Sequence, residues 1–305
     1  VPELPEVETV RRGLEKLIIG RVIKKVIHDT PKSFPNAAAD VEQFLIGAQI
    51  TDIRRRAKVL LIDLSSDYSL VIHLKMTGQL VFVAHPKPHH QPLATHEPEV
   101  RFGAGHPNDS LIGELPDRST RVTIEFADAS HLYFNDQRKF GWVKLMPTIE
   151  VPNIDFMKKV GPEPLEHDFT AAEFQSRFTR RAKSPIKAAL LDQTVIAGVG
   201  NIYADESLWA AKIHPLTKVS QLPSANYHLL YTELRSVMNL AIEKGGSTDK
   251  NYVNAEGKRG SYMDFARVFR REGKPCPRCG TTIIKFKAAG RGTHICPQCQ
   301  IIDVV

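Results

Sequence analysis

Two Cys-x-x-Cys pairs near the carboxy end, in "CPRCG" and "HICPQC", constrain this chain more than any other feature. Cys276 and Cys279 form the first pair, Cys296 and Cys299 the second, and sixteen residues separate them. Two tight turns that each present two thiols can complete a tetrahedron around one zinc ion. Two disulfides or a redox pair would use the same residues. All four cysteines of the 305-residue chain lie in its last thirty residues. That confinement argues against a disulfide framework spread through the fold and favours zinc. Four thiolates leave no coordination position open, so the expected zinc is structural, not catalytic. Between the pairs, "TTIIKFKAAGRGTHI" reads as two short strands joined at "AAGRG", with Arg291 near the tip.

The same region carries the charge. The chain has 41 Lys and Arg against 34 Asp and Glu, a net charge of +7. From Asp249 to Arg291 there are eleven basic residues and four acidic ones. That local excess matches the excess of the whole chain, so the basicity is a patch, and a patch of this kind suits a polyanion. No apolar run approaches the roughly 18–20 residues that span a bilayer. The acidic N-terminus lacks the apolar core of a signal peptide. These features lead us to expect a cytoplasmic protein without membrane contact; a monomer is also expected.

Upstream, the pattern divides into segments. "EVETVRRGLEKLI" places Val7, Val10, Leu14 and Leu17 on one helical face. Residues 18 to 149 are rich in Val, Ile and aromatic residues with partial alternation, which predicts strands. "DLSSDYS" and "FADAS" read as hairpin turns. The stretch "AHPKPHHQPLATHEPEVRFGAGHPNDS" has five His and five Pro. It shows neither apolar periodicity nor regular ligand spacing, and residues 84–117 are expected to form a surface loop insertion. A Pro-rich linker is expected over 151–168. Helices follow: one capped by Thr170 with Glu173 at the capping-box position, one capped by Ser184 with Pro185 at its first position, then "NIYADESLWAAKI" and "SANYHLLYTELRSVMNLAIEKGG". The Gly-rich turn "GVGN" before a helix can hold an anion, although Asn201 could serve merely as a cap. The expected domains are 1–150, 169–250 and 251–305.

In order along the chain, "PELPEVETVRRGLE", "RRAKVLL", "HLKMTG", "GPEPL", "GVGNIYADESLWAAKIHP", "EGKRG" and the "CPRCG…CPQC" tail closely resemble bacterial formamidopyrimidine-DNA glycosylase. The resemblance covers nearly the whole chain except the His/Pro stretch and the last few residues. It implies an α+β multidomain fold: an N-terminal helix with a two-layered β-sandwich, a helix–two-turns–helix domain and a C-terminal zinc ribbon. It implies a bifunctional DNA glycosylase and AP lyase of base excision repair, acting on double-stranded DNA that contains oxidised purines or abasic sites.

The resemblance also implies residue roles. Pro2 matches the nucleophile, through a free secondary amine, and Glu3 its proton partner. Lys58 matches a residue that orients the sugar and phosphate. Arg291 matches a phosphate clamp with a part in the second elimination, and Asn201 a second clamp. Met76, Arg138 and Phe140 match the side chains that fill the gap left by a flipped base. Lys250 opens "KNYVNAEGKRGSY", which matches the loop over the extruded base. Arg121 stands where other members have a phosphate-contacting His. Further departures are "DQRKFG" for "DPRRFG" and Lys75 in place of a small turn residue. Because Pro2 must carry a free amine, Val1 is expected to be absent from the working protein. Two rivals remain: a sister enzyme of the endonuclease VIII type that prefers oxidised pyrimidines, and a non-catalytic damaged-DNA binding protein on the same scaffold. Neither the "PELPEVE" start nor the Met/Arg/Phe pattern favours the first, and the second does not need the Pro2–Glu3 start.

Overall fold

The computed structural model describes residues 2–84, 100–106, 109–247 and 261–302. Within it the chain divides into two compact units. The first comprises the described residues of Val1–Lys158 and Lys244–Ser261, and the second those of Lys159–Glu243 and Tyr262–Val305.

The first unit starts with helix α1 (Leu4–Ile18). Its Val7, Val10, Leu14 and Ile18 are fully buried, while Leu17 packs at the margin. Strand β1 (Ile23–His28) and the short helix α2 (Ala38–Phe44) follow. Strands β2 (Ile50–Arg56), β3 (Val59–Leu64), β4 (Tyr68–His73), β5 (Gly78–Ala84), β6 (Val100–Gly105), β7 (Thr120–Phe126), β8 (His131–Asp136) and β9 (Trp142–Pro147) complete the unit. They form two antiparallel sheets, ordered β1-β7-β8-β5-β6 and β2-β3-β4-β9. Leu60, Ile62, Leu70 and Ile72 of one sheet meet Leu80, Phe82, Ile124 and Phe134 of the other in one core, which α1 helps to close. The expected hairpin turns join β3 to β4 and β7 to β8.

Two expectations for this unit are corrected. The 84–117 segment is not all loop: β6 lies within it and adds an edge to the larger sheet beside β5. Phe102 and Ala104 alternate into the core, but Gly103 and Gly105 dilute the apolar pattern. Gly13 leaves room for the Phe102 ring, since a Cβ there would lie 2.1 Å from it. The 151–168 segment is likewise not all linker. A 3-10 turn at Thr148–Asn153 and helix α3 (Asp155–Lys159) cover the outer face of the smaller sheet. There Val151, Ile154, Phe156 and Met157 pack on Val59, Leu61 and Val71, which explains why β3 is buried on both faces.

The second unit is helical, with α4 (Ala171–Phe178), α5 (Ile186–Leu191), α6 (Asn201–Ala210) and α7 (Ser224–Glu243), then the hairpin β10 (Ile284–Ala288) and β11 (Arg291–Ile295). Thr170 caps α4 as expected, accepting from Glu173 N at 3.2 Å. Helix α5 begins one residue later than expected. Pro185 takes the cap position, its carbonyl receives Ala189 N, and it bridges to Lys218. Among the described residues no helix is long and apolar enough to cross a membrane.

Candidate active site and zinc centre

In the first unit the N-terminal motif is buried against the sheets. Pro2 is buried, and Glu3, 3% exposed, caps α1. Glu3 N donates to Glu6 Oε2 at 2.7 Å, and Ser247 N donates to Glu6 Oε1, also at 2.7 Å. One carboxylate thus holds the backbone of Glu3, the expected proton partner, and the start of the segment after Gly246. Gly246 has φ +83° and packs on Glu6, with only 3.2 Å for a Cβ.

Lys58 occupies the two-residue turn between β2 and β3, closed by the pair Arg56 and Val59. Ala57 before it is left-handed, at φ +53°. Arg55 connects this turn to the motif: its Nη1 donates to Ala57 O at 3.0 Å and its Nε to Glu8 Oε2 at 3.0 Å. Glu8 also accepts from Arg11 and Arg12 of its own helix. Burial raises the Glu8 carboxyl, but those two hydrogen bonds and the charges of Arg55 and Arg11 outweigh it and hold it below the usual value. A chain of charge-assisted contacts therefore runs from α1, which begins just after Pro2–Glu3, to the turn that carries Lys58.

Met76 and the Arg138–Phe140 segment lie on two turns of this unit. Met76 is half-buried between Leu74 and Gly78, where Gly78 N closes the turn on Leu74 O at 2.9 Å. A Cβ at Gly78 would lie 2.3 Å from that carbonyl oxygen, so glycine is required. Phe140 is 45% exposed, with the Arg138 guanidinium 4.8 Å from its ring centre and Lys32 Nζ 5.6 Å away. Arg121 is placed differently from the expectation. It is 7% exposed, and its guanidinium donates to Asp29 at 2.7 Å, Arg118 O at 2.7 Å and Asp136 O at 2.8 Å. This arginine braces the protein interior, because three protein acceptors converge where a phosphate contact was expected. Lys250 lies outside the described residues.

In the second unit, Gln193 shapes the Gly-rich turn: its Oε1 accepts from Gly198 N at 3.0 Å and its Nε2 donates to Val199 O at 2.8 Å. Gly198 takes φ +78°, and Gly200 caps α6 without a side-chain bond. Asn201 is the first helical residue rather than the cap. Its Nδ2 donates to Gly292 O at 3.0 Å, and its Oδ1 has no protein partner. Arg291 is exposed at the start of β11, next to Gly292, after a turn whose Ala289 and Gly290 are both left-handed. The two expected phosphate clamps thus sit on adjoining elements, with helix N-terminal N–H groups beside them.

The four cysteine sulfurs lie within 4.8 Å of one another. Pairwise separations include 3.4 Å for Cys279–Cys296, 3.5 Å for Cys279–Cys299 and 4.0 Å for Cys276–Cys299. Zinc–sulfur bonds of about 2.3 Å in a tetrahedron require sulfurs about 3.8 Å apart, so this set fits one zinc ion. Hydrogen bonds from Thr281 pull the Cys279 thiol down to about 6, toward the thiolate a metal needs. The bound ion would cross-link the two knuckles. Cys276 and Cys296 pack with Val268 and Ile283 on Trp209 of α6, whose ring also lies 4.0 Å from Arg278. Glu206 of the same helix accepts from Arg267 N, Val268 N and Phe269 N and fixes the approach to the ribbon.

A two-sheet unit with a buried Pro-Glu start and a helical unit that carries a four-cysteine ribbon together define the class of zinc-ribbon helix–two-turns–helix proteins. Family models narrow it: the formamidopyrimidine-DNA glycosylase N-terminal domain matches residues 1–143, the helix–two-turns–helix domain of the same enzyme 160–252, and the zinc finger found in FPG and IleRS 273–301. The chain belongs to the formamidopyrimidine-DNA glycosylase family. It is 41% identical over 304 residues to the Streptococcus pyogenes formamidopyrimidine-DNA glycosylase, covering 98% of each chain. Among solved structures it resembles a Lactococcus lactis Fpg mutant in complex with Fapy-dG containing DNA, with a TM-score of 0.82, 35% identity and coverage of 99% and 100%. Fpg of the same organism with abasic-site DNA gives a TM-score of 0.82 at 35% identity, with coverage of 98% and 100%.

The residues that sequence reasoning missed are the ones that hold others in place. Glu6, Glu8, Arg55 and Thr77 lie inside the quoted motifs and Asp136 opens "DQRKFG", but nothing local to them shows which partners they hold.

Proposed function

We propose that this protein removes oxidised purines, 8-oxoguanine and formamidopyrimidines, from double-stranded DNA and then cuts the strand at the abasic site it creates. Family membership and the buried Pro2–Glu3 start of α1 support the reading. The Pro2 nitrogen, once it is the chain terminus, has a lone pair that attacks the anomeric carbon. The glycosidic bond breaks, and the base leaves with its electron pair and takes a proton. Ring opening then gives an iminium ion between Pro2 and the sugar. Glu3 shuttles the protons of these steps. The iminium acidifies the neighbouring sugar proton, whose loss expels the 3′ phosphate, and a second elimination expels the 5′ phosphate.

An α-amino group has a reference pKa of about 7.7–8.0, so a useful fraction is neutral at physiological pH. Lys58 orients the sugar and phosphate from its braced turn. Asn201 and Arg291 grip phosphates, and Met76, Arg138 and Phe140 fill the space the flipped base vacates. Zinc takes no part in the bond changes and stabilises the ribbon.

Borohydride trapping on an 8-oxoguanine duplex tests this reading. A covalent adduct is expected from protein that begins at Pro2. Its absence, or an active enzyme whose intact mass retains residue 1, overturns the mechanism. Glu3→Gln should abolish excision and leave binding. A preference for thymine glycol over 8-oxoguanine would instead assign the pyrimidine-directed relative.

A further inference from the structure

Strands β5 and β8 are neighbours, and Gly78 pairs directly with Asp136. The Met76 turn enters β5 at the same place where the Arg138–Phe140 turn leaves β8. Asp136 is fully buried and Thr77 nearly so. The Asp136 carboxylate reaches both turns. Its Oδ1 accepts from the Thr77 hydroxyl and from Arg138 N at 3.1 Å, and its Oδ2 accepts from Phe140 N at 2.8 Å and Gly141 N at 2.7 Å. Arg138 N also lies 3.1 Å from Thr77 Oγ1, so the three residues close a triangle.

Both turns are held in backbone shapes they would not choose alone. Lys75 and Lys139 are left-handed, at φ +51° and +55°. Non-glycine residues stay in that region only when their surroundings over-determine it. At Gly141 a Cβ would lie 2.9 Å from His73 O and 3.2 Å from Asp136 Oδ2, so two consecutive N–H groups can meet the carboxylate only because this residue is glycine. At the far end of the Met76 turn, His73 Nδ1 accepts from Lys75 N at 3.0 Å. Burial and the Lys75 and Lys58 charges press His73 down to about 3, which keeps the ring neutral and able to accept.

We propose that Asp136, with Thr77, is the positioning residue of the DNA wedge: one buried carboxylate locks the Met76 turn to the Arg138–Phe140 turn, so that the three side chains enter the duplex as a single preset unit. Lost stacking must be offset at the moment the base flips, and loosely held side chains would have to be ordered then. This inference rests on the wedge reading of Met76, Arg138 and Phe140 given above.

The test compares two substrates: a duplex with 8-oxoguanine opposite cytosine, and a single strand with a preformed abasic site, which needs no wedge. Misplacement of a positioned group by about 1 Å costs up to about 100-fold, so Thr77→Val should lower kcat/KM on the duplex about 10- to 100-fold while single-strand cleavage stays within about twofold. Thr77→Ser should restore the duplex rate, and Asp136→Asn, which turns an acceptor into a donor facing N–H groups, should act in the same direction as Thr77→Val and more strongly. Equal loss on both substrates, or no loss on the duplex, overturns the inference. Met76→Ala separates the two failures: if it too leaves duplex excision unchanged, the wedge reading is at fault, whereas a slowed Met76→Ala beside an unaffected Thr77→Val refutes only the lock.

Discussion

Lys187 Nζ lies 2.6 Å from Asp205 Oδ1, and the two side chains are 0% and 1% exposed. The same ammonium donates to Thr293 Oγ1 at 2.7 Å, and the other Asp205 oxygen accepts from His294 N at 3.0 Å. A buried ion pair on α5 and α6 thus fastens β11, the strand that begins with Arg291. Removing one member of such a pair leaves an uncompensated buried charge. Lys187→Met is expected to destabilise the helical unit by about 3–5 kcal/mol, measured by urea unfolding.

Glu8 sets an acid-side limit on the first unit. Its carboxyl is held below the ordinary value of 4.5, so the unfolded chain takes up its proton first as the pH falls. The stabilisation is fully present above 4.5 and is lost as the pH drops through the folded value. The stability gap between wild type and Glu8→Gln should therefore be constant near neutrality and shrink below that point in a pH series of thermal melts.

Gly13 is required by a neighbour, not by its own backbone. A methyl group there would sit 2.1 Å from the Phe102 ring, and ring and helix would have to separate. Overpacking of this kind costs about 1–3 kcal/mol, so Gly13→Ala should lower the melting temperature despite its better helix propensity. Pairing it with Phe102→Leu should recover part of the loss.

Zinc removal should act on the ribbon and the helices packed on it, and spare the first unit. Chelation, or Cys279→Ser, is expected to release one equivalent of metal, read with a colorimetric indicator, and to weaken DNA binding through loss of the Arg291 hairpin. The ellipticity of the β-sandwich should be retained.

Much of this protein was legible in its sequence. Local rules suffice where a few adjacent residues decide the outcome. Four thiols at two short spacings specify a tetrahedral metal site, Val7, Val10 and Leu14 specify a buried helical face, and Thr170 specifies a helix start. The ordered motifs specified the family and, with it, the expected chemistry of Pro2 and Glu3. Tertiary structure decided what depends on partners remote in sequence. Phe102 became core only because Gly13 makes room for it, so a strand emerged where glycines hid the alternation. Arg121 turned inward because Asp29, Arg118 and Asp136 converge on it. Asp136 acquired its place because Gly78 happens to be its strand partner, which brings two separately encoded turns under one carboxylate. Buried charges pair according to which elements pack together, and that is a property of the fold rather than of any stretch of the chain.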